Sequence, residues 1–510
     1  MKASFKNKIL FFDDLVEKVA ALRKSGKKVV QSHGIFDLIH PGIINHLTEA
    51  RDQGNVLIVT VIKDKNVRRG SGRPIFPENM RAENVAALEQ VDYVCLVDDD
   101  IPFECVKKIK PDIFAKGRAY KKRYRMIYQK IDEEEKEFYF GKSKIYETKG
   151  FSFSSSRIIN NFLDIYSKET KHFLKLFSEK HAFKQIARYI NNLKGLKTLV
   201  LGDGIVDEYH YCDAIGKSAK SPIVVNRYIA HEVFAGGAFA IANHVSGLCD
   251  QVHIVTLLGK DDSRKDFILK SLRPNVTAKF FYRDDGPTII KKRYVSQYSN
   301  LKLFEVNYLN DNDIDGVCEA NVMDYLKSIL PKYDLVLVSD FGHGFITKNV
   351  IKVIEQHSKQ FAVNTQTNGA NSGYNMITKY KNPDFVCLDE TEARYATQNR
   401  FGDIEIIAKD ILKTINAGHL IVTLGKRGSI GVDKSGEINK TPIFSTKVID
   451  TVGAGDAFFS FTAPCFAHGM PLDLVSFVGN AVGALAVQIV GNKKPVEKHA
   501  LLEFIHGILR

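Results

Sequence analysis

Apolar and polar positions along this chain fall into two separate alternating series. In the first, between Lys27 and about Val97, the runs KKVVQSHGIFD, NVLIVTVI and DYVCLV are separated by segments with helical periodicity. Short runs rich in β-branched residues predict buried strands, and their alternation with helices predicts a parallel, doubly wound sheet. We therefore expect an α/β domain in this part of the chain.

A polar, lysine-rich segment with helical periodicity interrupts this pattern between Asn161 and about Lys194. It predicts a helical connector, with a domain boundary between roughly 162 and 185. A second strand–helix series begins at LKTLVLGDGIVDEY and includes the core runs VLVSD, FVCLD and LIVTLG. The predicted units are residues 1–165, a helical linker at 166–184, and residues 185–510.

The composition narrows the class of protein. With 510 residues, of which 44% are apolar and 26% charged, the chain resembles a soluble globular protein of two to four domains. No apolar run approaches the ~20 residues needed to span a bilayer, and the amino-terminal segment lacks the pattern of a secretory signal. The seven cysteines are scattered without a C-x-x-C pair, which favours a reducing cytoplasm over a zinc site or a disulfide framework.

The net charge of +13 fits either a nucleic-acid-binding protein or an enzyme whose partners are phosphates. Basic residues are spread along the chain, with one denser run at Lys121–Arg125, and no nucleic-acid-binding motif accompanies them. We therefore expect small molecules that carry phosphate as partners, and neither nucleic acid nor a membrane.

The densest chemical signal in the first series is GIFDLIHPG, residues 34–42, at a strand-to-helix junction. A helix N-terminus beside glycines presents free backbone N–H groups to a phosphate. An imidazole there, that of His40, can stabilise the charge that builds on an α-phosphate under attack. Taken alone, His40 is explained equally well as an exposed loop histidine.

GIFDLIHPG resembles the G-x-F-D-x-x-H-x-G-H signature of the cytidylyltransferase-like nucleotidyltransferases. KDKNVRRGSGRPIFPENMRAENVAALEQVDYV, PDIFAKGRAY and SFSSSRIIN are similar to later segments of the heptose-1-phosphate adenylyltransferase branch. The resemblance implies a Rossmann-like domain, a nucleoside triphosphate donor (ATP or CTP), and His40 at the transition state. It also implies nucleotide contacts at Gly34, Phe36, Asp37, Gly42, Lys116, Ser154, Ser155 and Ser156, with Arg81 as a further candidate for a phosphate contact.

Two positions depart from this pattern. The second histidine of the signature falls on Ile43, with His46 one helical turn away, and the acid of the K-G-x-D-Y element is Ala119. Loss of one preorganised donor commonly costs on the order of 10²–10³ in rate. Either an active transferase or a non-catalytic nucleotide sensor or dimerisation module is compatible with these changes.

The strongest motif in the chain is DTVGAGD, Asp450 to Asp456. Its small residues precede an apolar helical segment, so Gly453, Ala454 and Gly455 would form an anion hole for a transferring phosphoryl group. Asp456 beside that hole can take the proton of an attacking hydroxyl, a contribution of about 10²–10⁴. A glycine-rich turn before a packed helix is the alternative. DTVGAGD resembles the carboxyl-terminal signature of the PfkB/ribokinase family.

Further elements of that family appear in order, and the resemblance implies ATP and Mg²⁺ as cofactors. The sugar-binding positions that it implies are Asp203, Asp207, Gly236 and Gly237, although a helix cap and a solvated turn also explain the two acids. The nucleotide-binding positions that it implies are Asp389, Glu392, Thr423, Gly425, Gly428 and Asn480, with Glu392 also organising magnesium through water.

By the same resemblance, residues 217–235 and 287–307 form a small β-sheet lid on a ribokinase-like α/β domain, and this lid would pair two subunits in a homodimer. GDGIVDEYHY, KSPIVV, KKRYVSQYSNLKLFE and VSDFGHG are similar to the heptose-7-phosphate kinase branch. That branch is known fused to this type of nucleotidyltransferase, in the reverse order.

The substrate pocket departs from the heptose pattern. Ala240 stands where asparagine is expected, Lys220 replaces a glutamate and Gly216 an arginine. The D-P-K element reads Asn364-Thr365-Gln366. A buried site that loses hydroxyl-binding groups changes specificity by ~10⁴ or more.

The sequence therefore predicts a bifunctional sugar-phosphate kinase and sugar-1-phosphate nucleotidyltransferase that makes an NDP-activated, ADP-heptose-like sugar for surface polysaccharide or lipopolysaccharide. One alternative keeps both chemistries on another phosphorylated polyol or acid with CTP as donor. The other is a working kinase with a non-catalytic nucleotide-binding domain.

Overall fold

The computed structural model describes residues 5–70, 72–99, 102–117, 127, 143–149, 158–160, 163, 165–369, 371–445 and 447–510. The chain folds into two compact units, Met1–Ala187 with Leu502–Arg510, and Arg188–Leu501. The predicted domain limits, at 165 and 185, stay a prediction.

In the first unit, the described strands form one sheet in the order β3-β2-β1-β4-β5, with every neighbouring pair parallel. Its strands are β1 (Val29–Gly34), β2 (Val56–Ile62), β3 (Tyr93–Val97), β4 (Ile113–Lys116) and β5 (Lys144–Glu147). Its helices are α1 (Phe12–Lys24), α2 (Pro41–Arg51), α3 (Glu78–Ala86), α4 (Phe103–Ile109) and α5 (Lys168–Lys180).

Both faces of this sheet are covered. Apolar side chains of α2 and α3 pack against one face, and those of α1 and α4 pack against the other. Every residue of β2 is consequently buried, which explains why its sequence, VLIVTVI, is apolar throughout rather than alternating. The strand order reverses between β1 and β4, and the crevice at the carboxyl ends of such a pair is the usual ligand site of a doubly wound sheet.

The second unit begins within α6 (Phe183–Asn192) and ends within α15 (Lys498–Ile508). Its main sheet has the order β10-β9-β6-β13-β14-β15-β16-β17-β18 among the described strands, antiparallel only where β17 joins its two neighbours. Its strands are β6 (Lys197–Gly202), β9 (Gln251–Gly259), β10 (Val276–Arg283), β13 (Leu335–Asp340), β14 (Phe361–Thr365), β15 (Phe385–Asp389), β16 (His419–Thr423), β17 (Ser429–Asp433) and β18 (Ile438–Thr441).

The helices within this unit are α7 (Ala238–Val245), α8 (Lys265–Ser271), α9 (Gly316–Ile329), α10 (Lys348–His357), α11 (Glu390–Thr397), α12 (Ile404–Thr414), α13 (Ala454–Ala467) and α14 (Leu472–Ala486). The order of the parallel strands reverses between β6 and β13, so loops after both strands meet at one edge. In the described part of the chain, none of the helices has the length and hydropathy to cross a membrane.

A second, smaller sheet has the order β12-β11-β7-β8, with strands β7 (Gly204–Lys217), β8 (Val224–Gly237), β11 (Ile289–Ser296) and β12 (Lys302–Tyr308). We call it the lid sheet. The lid predicted from the sequence omitted most of β7, which pairs with β8 from Gly204 to Lys217. Asp207 therefore lies on a lid strand and not in a turn.

The expected fold class is confirmed: a Rossmann-like α/β unit precedes a ribokinase-like α/β unit that carries a small β-sheet lid. Helices α5 and α6 occupy the segment whose periodicity predicts a helical connector.

Candidate active sites

In the first unit, the predicted transferase residues lie at the edge where the strand order reverses. β1 ends at Gly34 and its parallel neighbour β4 ends at Lys116, with Ser32 paired to Ala115. His40 occupies the N-cap position of α2, and Gly42 lies in the first turn of that helix. Gly34, His40, Gly42 and Lys116 thus meet at the carboxyl edge of the sheet, beside a helix N-terminus suited to a phosphate.

Phe36 and Asp37 fix the backbone between β1 and α2. Phe36 has φ +53°, an uncommon conformation for a bulky residue that persists only where surrounding contacts hold it. A Cβ atom at Gly34 would lie 3.2 Å from the Phe36 ring. The Asp37 carboxylate accepts hydrogen bonds from the backbone N–H of Ile75, at 2.8 Å, and of Phe76, at 3.0 Å. Both residues therefore shape the loop, and their contacts with a nucleotide stay a prediction.

His40 is 8% exposed, and burial lowers the pKa of its imidazole below the usual value. A lowered pKa keeps the ring neutral at neutral pH. A neutral ring offers one N–H donor, which is the form that can hydrogen-bond to an α-phosphate.

His46 lies one helical turn beyond Ile43, the position of the missing second histidine. His46 is hydrogen-bonded through one ring nitrogen to Ser32, at 2.8 Å, and through the other to Thr148, at 2.9 Å, and burial lowers its pKa to about 4. Both of its ring nitrogens are thus held by hydroxyl partners, and the ring does not take the place of the missing second histidine.

The hypothesis that Arg81 contacts phosphate is wrong in this structure. Its side chain is fully buried, and its guanidinium donates to the backbone oxygens of Ile35, Phe76 and Ile62 and to Asp64. The guanidinium supports the loops around the site instead. Ser154, Ser155, Ser156 and Ala119 lie outside the described residues.

In the second unit, most of the predicted kinase residues line one cavity of about 430 Å³. The cavity lies at the carboxyl ends of β14, β15 and β16 and extends to the lid sheet. The predicted residues in its wall are Asp207, Gly237, Asp389, Glu392, Thr423, Gly453, Gly455 and Asp456. Other residues in its wall include Lys291, Arg293, Glu305, Asn364, Gln366 and Asn492.

The glycines of this wall permit close approach of backbone and side chains. Gly453 caps α13 with φ +79°, and a Cβ atom there would lie 2.2 Å from the Asn492 amide. At Gly236, just behind the wall, a Cβ atom would lie 2.0 Å from the Asp207 carboxylate. Any larger residue at either position would displace a polar side chain of the cavity.

Asp456 is 6% exposed on the first turn of α13. Burial raises the pKa of its carboxyl to about 7, although the hydrogen bond that the carboxylate accepts from the Gln366 amide acts to lower the pKa. A carboxyl that titrates near neutral pH can both accept a proton from a hydroxyl and release it, as general-base catalysis requires.

Asp389 and Glu392 form a capping box at the start of α11. Glu392 N–H donates to Asp389 at 2.8 Å, while the Glu392 carboxylate accepts from the backbone N–H of Asp389, at 2.7 Å, and of Thr367, at 3.1 Å. Burial and the nearby Asp389 raise the pKa of Glu392 to about 8.

Mg²⁺ usually binds through one or two carboxylates, waters and substrate phosphates rather than through a full protein cage. Asp389 and Glu392 in the cavity wall fit that mode of binding. No group of three or more metal-ligating side chains occurs where the structure describes the chain.

Several predicted residues lie outside the cavity wall. Asp203 is buried, where its carboxylate accepts from the N–H groups of Phe341 and His343, and burial raises its pKa. The Asn480 amide donates to Ser429 Oγ and to the Ser476 carbonyl. Gly236, Ala454, Gly425 and Gly428 are also absent from the wall.

Asp203 and Asn480 thus have structural partners, and the ligand contacts predicted for the residues outside the wall stay predictions. Ala454 N–H closes a turn on the Thr451 carbonyl at 3.2 Å. Asp203 joins the loop after β6 to the loop after β13.

Lys291 and Arg293 were missed by the sequence analysis. Arg293 is paired with Asp207 and, at 2.7 Å, with Glu305. Lys291 is 7% exposed, and burial lowers its pKa. The signal was present in the run KKRY, because side chains two residues apart share one face of a strand. It could not be interpreted without knowing which face met the cavity.

Asp450, the first residue of the DTVGAGD motif, joins that motif to the lid sheet. Its carboxylate accepts from Lys302, at 2.5 Å, and from Tyr209 and the Gly491 N–H, both at 2.9 Å. Burial acts to raise its pKa, but the hydrogen bond from Lys302 and those from backbone N–H groups outweigh burial and hold the pKa below its usual value.

We expect Lys302→Met to lower the free energy of unfolding at pH 7 by about 1–3 kcal/mol, because Asp450 then loses a charged donor while it stays buried. In the wild type, the pair of Lys302 and Asp450 contributes its full stabilisation at pH values above the unfolded pKa of Asp450. This contribution is lost as pH falls through the folded pKa of Asp450, which is lower. The penalty should therefore shrink below about pH 4.

Denaturant titrations across pH measure this effect. The matched control is Lys327→Met, which removes an exposed pair with Asp324 and should cost about 0.5 kcal/mol or less. Equal losses for the two variants would contradict a special role of the Asp450 pair.

Comparison with solved structures identifies the fold of the second unit. Phosphofructokinase-2 from Escherichia coli in complex with potassium superimposes with a TM-score of 0.52 and 15% identity, covering 62% of this chain and 100% of that one. The same enzyme in complex with substrates and products gives a TM-score of 0.51 at 14% identity. At this level of identity the comparison shows the fold alone.

Proteins named bifunctional protein HldE are similar in sequence. That of Trichlorobacter lovleyi is 24% identical over 63% of this chain and 66% of its own length. That of Citrifermentans bemidjiense is 36% identical over 64% of this chain and 66% of its own length. A shorter match, with 46% identity over 102 residues, occurs in Nitratiruptor. The chain spans slightly less than two thirds of the first two relatives.

Two family models match separate parts of the sequence. The cytidylyltransferase-like model matches residues 32–161. The model of the pfkB family carbohydrate kinases matches residues 199–499, from β6 to the start of α15. Because this match covers more than half of the sequence and contains the whole cavity wall, the chain belongs to the pfkB family of carbohydrate kinases.

Proposed function

We propose that this protein phosphorylates a sugar phosphate with ATP in its second unit and, in its first unit, joins a sugar 1-phosphate to a nucleotide with release of pyrophosphate. The product would be an NDP-activated, ADP-heptose-like sugar for surface polysaccharide or lipopolysaccharide. One observation carries the kinase half: the Asp456 carboxylate and the glycine turn of α13 line the same cavity. HldE relatives, which are named bifunctional, support the pairing of two activities.

In the kinase reaction, Asp456 accepts the proton of the acceptor hydroxyl as that oxygen attacks the γ-phosphorus of ATP. The bond from phosphorus to the bridging oxygen breaks, and ADP leaves. Backbone N–H groups around Gly453–Gly455, at the N-terminus of α13, face the charge that develops on the phosphoryl oxygens. Asp207 and the backbone at Gly237 hold the sugar hydroxyls. Mg²⁺, when bound, neutralises phosphate charge beside Asp389 and Glu392.

Asp456→Asn should lower kcat of phosphorylation by about 10²–10⁴ while leaving ATP binding unchanged, because the amide cannot accept the proton. In the wild type, kcat/KM should rise with pH through about 7, as the carboxyl of Asp456 loses its proton. Coupled ADP-release assays over pH 5.5–9 would measure both effects, at roughly half-unit intervals.

Asp410→Asn, an exposed change on α12, is the matched control. Wild-type activity in Asp456→Asn would remove the kinase assignment.

In the transferase reaction, the sugar-phosphate oxygen attacks the α-phosphorus of the nucleotide, and the bond to pyrophosphate breaks. His40, kept neutral by burial, donates a hydrogen bond to the α-phosphate, and the N-terminus of α2 with Lys116 receives the phosphates. Ser154, Ser155 and Ser156 remain proposed triphosphate contacts.

His40→Ala should lower pyrophosphate release by about 10²–10³ without changing phosphorylation. A panel of nucleoside triphosphates with each sugar phosphate, read by a pyrophosphate assay, measures this effect and identifies the donor. His172→Ala, an exposed change on α5, serves as control. Equal, background rates for wild type and His40→Ala would instead support a non-catalytic nucleotide-binding unit.

Specific observations favour each alternative. Both ring nitrogens of His46 are engaged by hydroxyl groups, so it does not replace the histidine missing at Ile43, and this favours the nucleotide sensor. In the kinase cavity, Asn364 and Gln366 replace charged groups of the heptose pattern, and Ala240 is buried and apolar. These substitutions favour another phosphorylated polyol or acid as acceptor; the CTP donor of that alternative is tested by the nucleotide panel.

We also propose a homodimer formed through the lid sheet in a reducing cytoplasm. The lid carries exposed apolar side chains along β7, β8 and β12, a composition typical of a surface that another subunit covers. They include Ile215, Val224, Tyr228, Leu303, Phe304 and Val306. All seven cysteines are buried and unpaired, as in proteins of a reducing compartment.

Replacing Val224 and Leu303 together by Asp should convert the dimer to monomer, because charges would then be buried at the interface. Sedimentation equilibrium measures the mass. Val317→Asp, at a still more exposed position on α9, is the control and should leave the dimer intact. A wild-type chain that sediments as a monomer would refute the dimer.

A further inference from the structure

A relay of two side-chain amides ends on the carboxylate of Asp456. Asn364 Nδ2 donates to the Cys387 carbonyl at 2.8 Å, and Gln366 Nε2 donates to Asn364 Oδ1 at 2.8 Å. The same Gln366 nitrogen donates to Asp456 Oδ1. Asn364 is buried, and both amides lie in the cavity wall.

The orientation of each amide follows from the one before it. A backbone carbonyl only accepts hydrogen bonds, so Asn364 must present its nitrogen to Cys387 and its oxygen to Gln366. Gln366 must then present its nitrogen to Asn364, and the second hydrogen of that nitrogen is directed at Asp456. The Cys387 carbonyl therefore fixes the direction of the donor that meets the carboxylate.

We propose that Gln366 is a positioning residue for Asp456: its amide holds Oδ1 and leaves Oδ2 directed at the acceptor hydroxyl. This inference rests on the proposed role of Asp456 as the base. Asp456 Oδ1 is the oxygen with a side-chain partner in the described structure, and the carboxylate lines the cavity.

Charged groups from several elements also face this carboxylate. Asp207 of β7 disfavours its ionisation, and Lys291 of β11 favours it. The charge of Asp456 in turn raises the pKa of Glu392 of α11. The Cys387 thiol, whose pKa burial raises far above its usual value, stays neutral. Gln366 differs from these groups because it directs one oxygen without adding charge. A lysine at this position, as in the D-P-K element, would direct the oxygen and also lower its proton affinity.

Gln366→Leu should lower kcat and move the acid limb of the kcat/KM profile upward by about 0.5–1 pH unit, because the ionised form loses a hydrogen bond. KM for ATP should stay within about twofold, since the nucleotide side of the site is untouched. Gln366→Lys should restore much of kcat and move the limb below that of the wild type, because a charged donor favours the carboxylate.

The matched control is Gln488→Leu. Gln488 is also a partly buried glutamine whose amide donates one hydrogen bond, to the Ala484 carbonyl at 2.9 Å, but it lies outside the cavity wall. This variant should keep the wild-type profile. An unchanged acid limb in Gln366→Leu, or a profile shift of the same size in the control, would overturn the positioning role.

A second measurement requires no acceptor. The free energy of unfolding is compared between the wild type and Asp456→Asn across pH, and the comparison is repeated in chains that also carry Gln366→Leu. The pKa of Asp456 is higher in the folded than in the unfolded state, so the wild type loses stability relative to Asp456→Asn as pH rises above the unfolded pKa. This loss reaches a plateau once pH passes the folded pKa. With Gln366→Leu that plateau should begin at higher pH, and coincident plateaus would refute the inference.

The two proposals fail separately. If no acceptor is phosphorylated by the wild type, the kinase assignment fails, while the unfolding comparison still decides whether Gln366 acts on Asp456.

Discussion

Buried carboxylates impose the main physical constraint on the second unit. Asp207, Asp450 and Asp456 are each less than a tenth exposed, and an ionised carboxylate in such surroundings is costly unless donors meet it. The side-chain donors come from two different parts of the fold. Arg293 and Lys302 come from the lid sheet, and Gln366 follows β14. The lid sheet, the edge of the main sheet and the DTVGAGD loop are thus held together because these carboxylates need hydrogen-bond donors.

The same constraint separates the acids by chemistry. Asp450 receives a lysine ammonium, a phenol and backbone N–H groups, so its pKa falls and it acts as a permanent anion. Asp456 receives a neutral amide, so burial dominates and its pKa rises to about 7. Six residues apart in sequence, one carboxylate joins structural elements and the other can exchange protons.

Structural features that depend on residues close together in the sequence were predicted correctly. The strand–helix alternation fixed the α/β class, and the glycine run before α13 correctly indicated a helix N-terminus at a cavity. Partners distant in sequence were not predictable in this way. Asp203 stays a predicted sugar contact, but the partners of its carboxylate, the N–H groups of Phe341 and His343, follow β13 and are distant in sequence. Lys291 was missed because only the assembled sheet shows which face meets the cavity.

The lid strand β7 takes part both in the cavity wall and in an exposed surface. Its 14 residues extend about 46 Å at about 3.3 Å per residue, and about 26 Å of this separates Asp207 in the cavity wall from exposed Ile215. Irregularities in its pairing with β8 occur after Tyr211 and after Ala214, beyond the end that lines the cavity. A one-residue slip inverts every side chain of a strand, yet these bulges can absorb added or deleted residues. The hairpin tip is therefore free to diverge in length while the strand's inner half keeps its register.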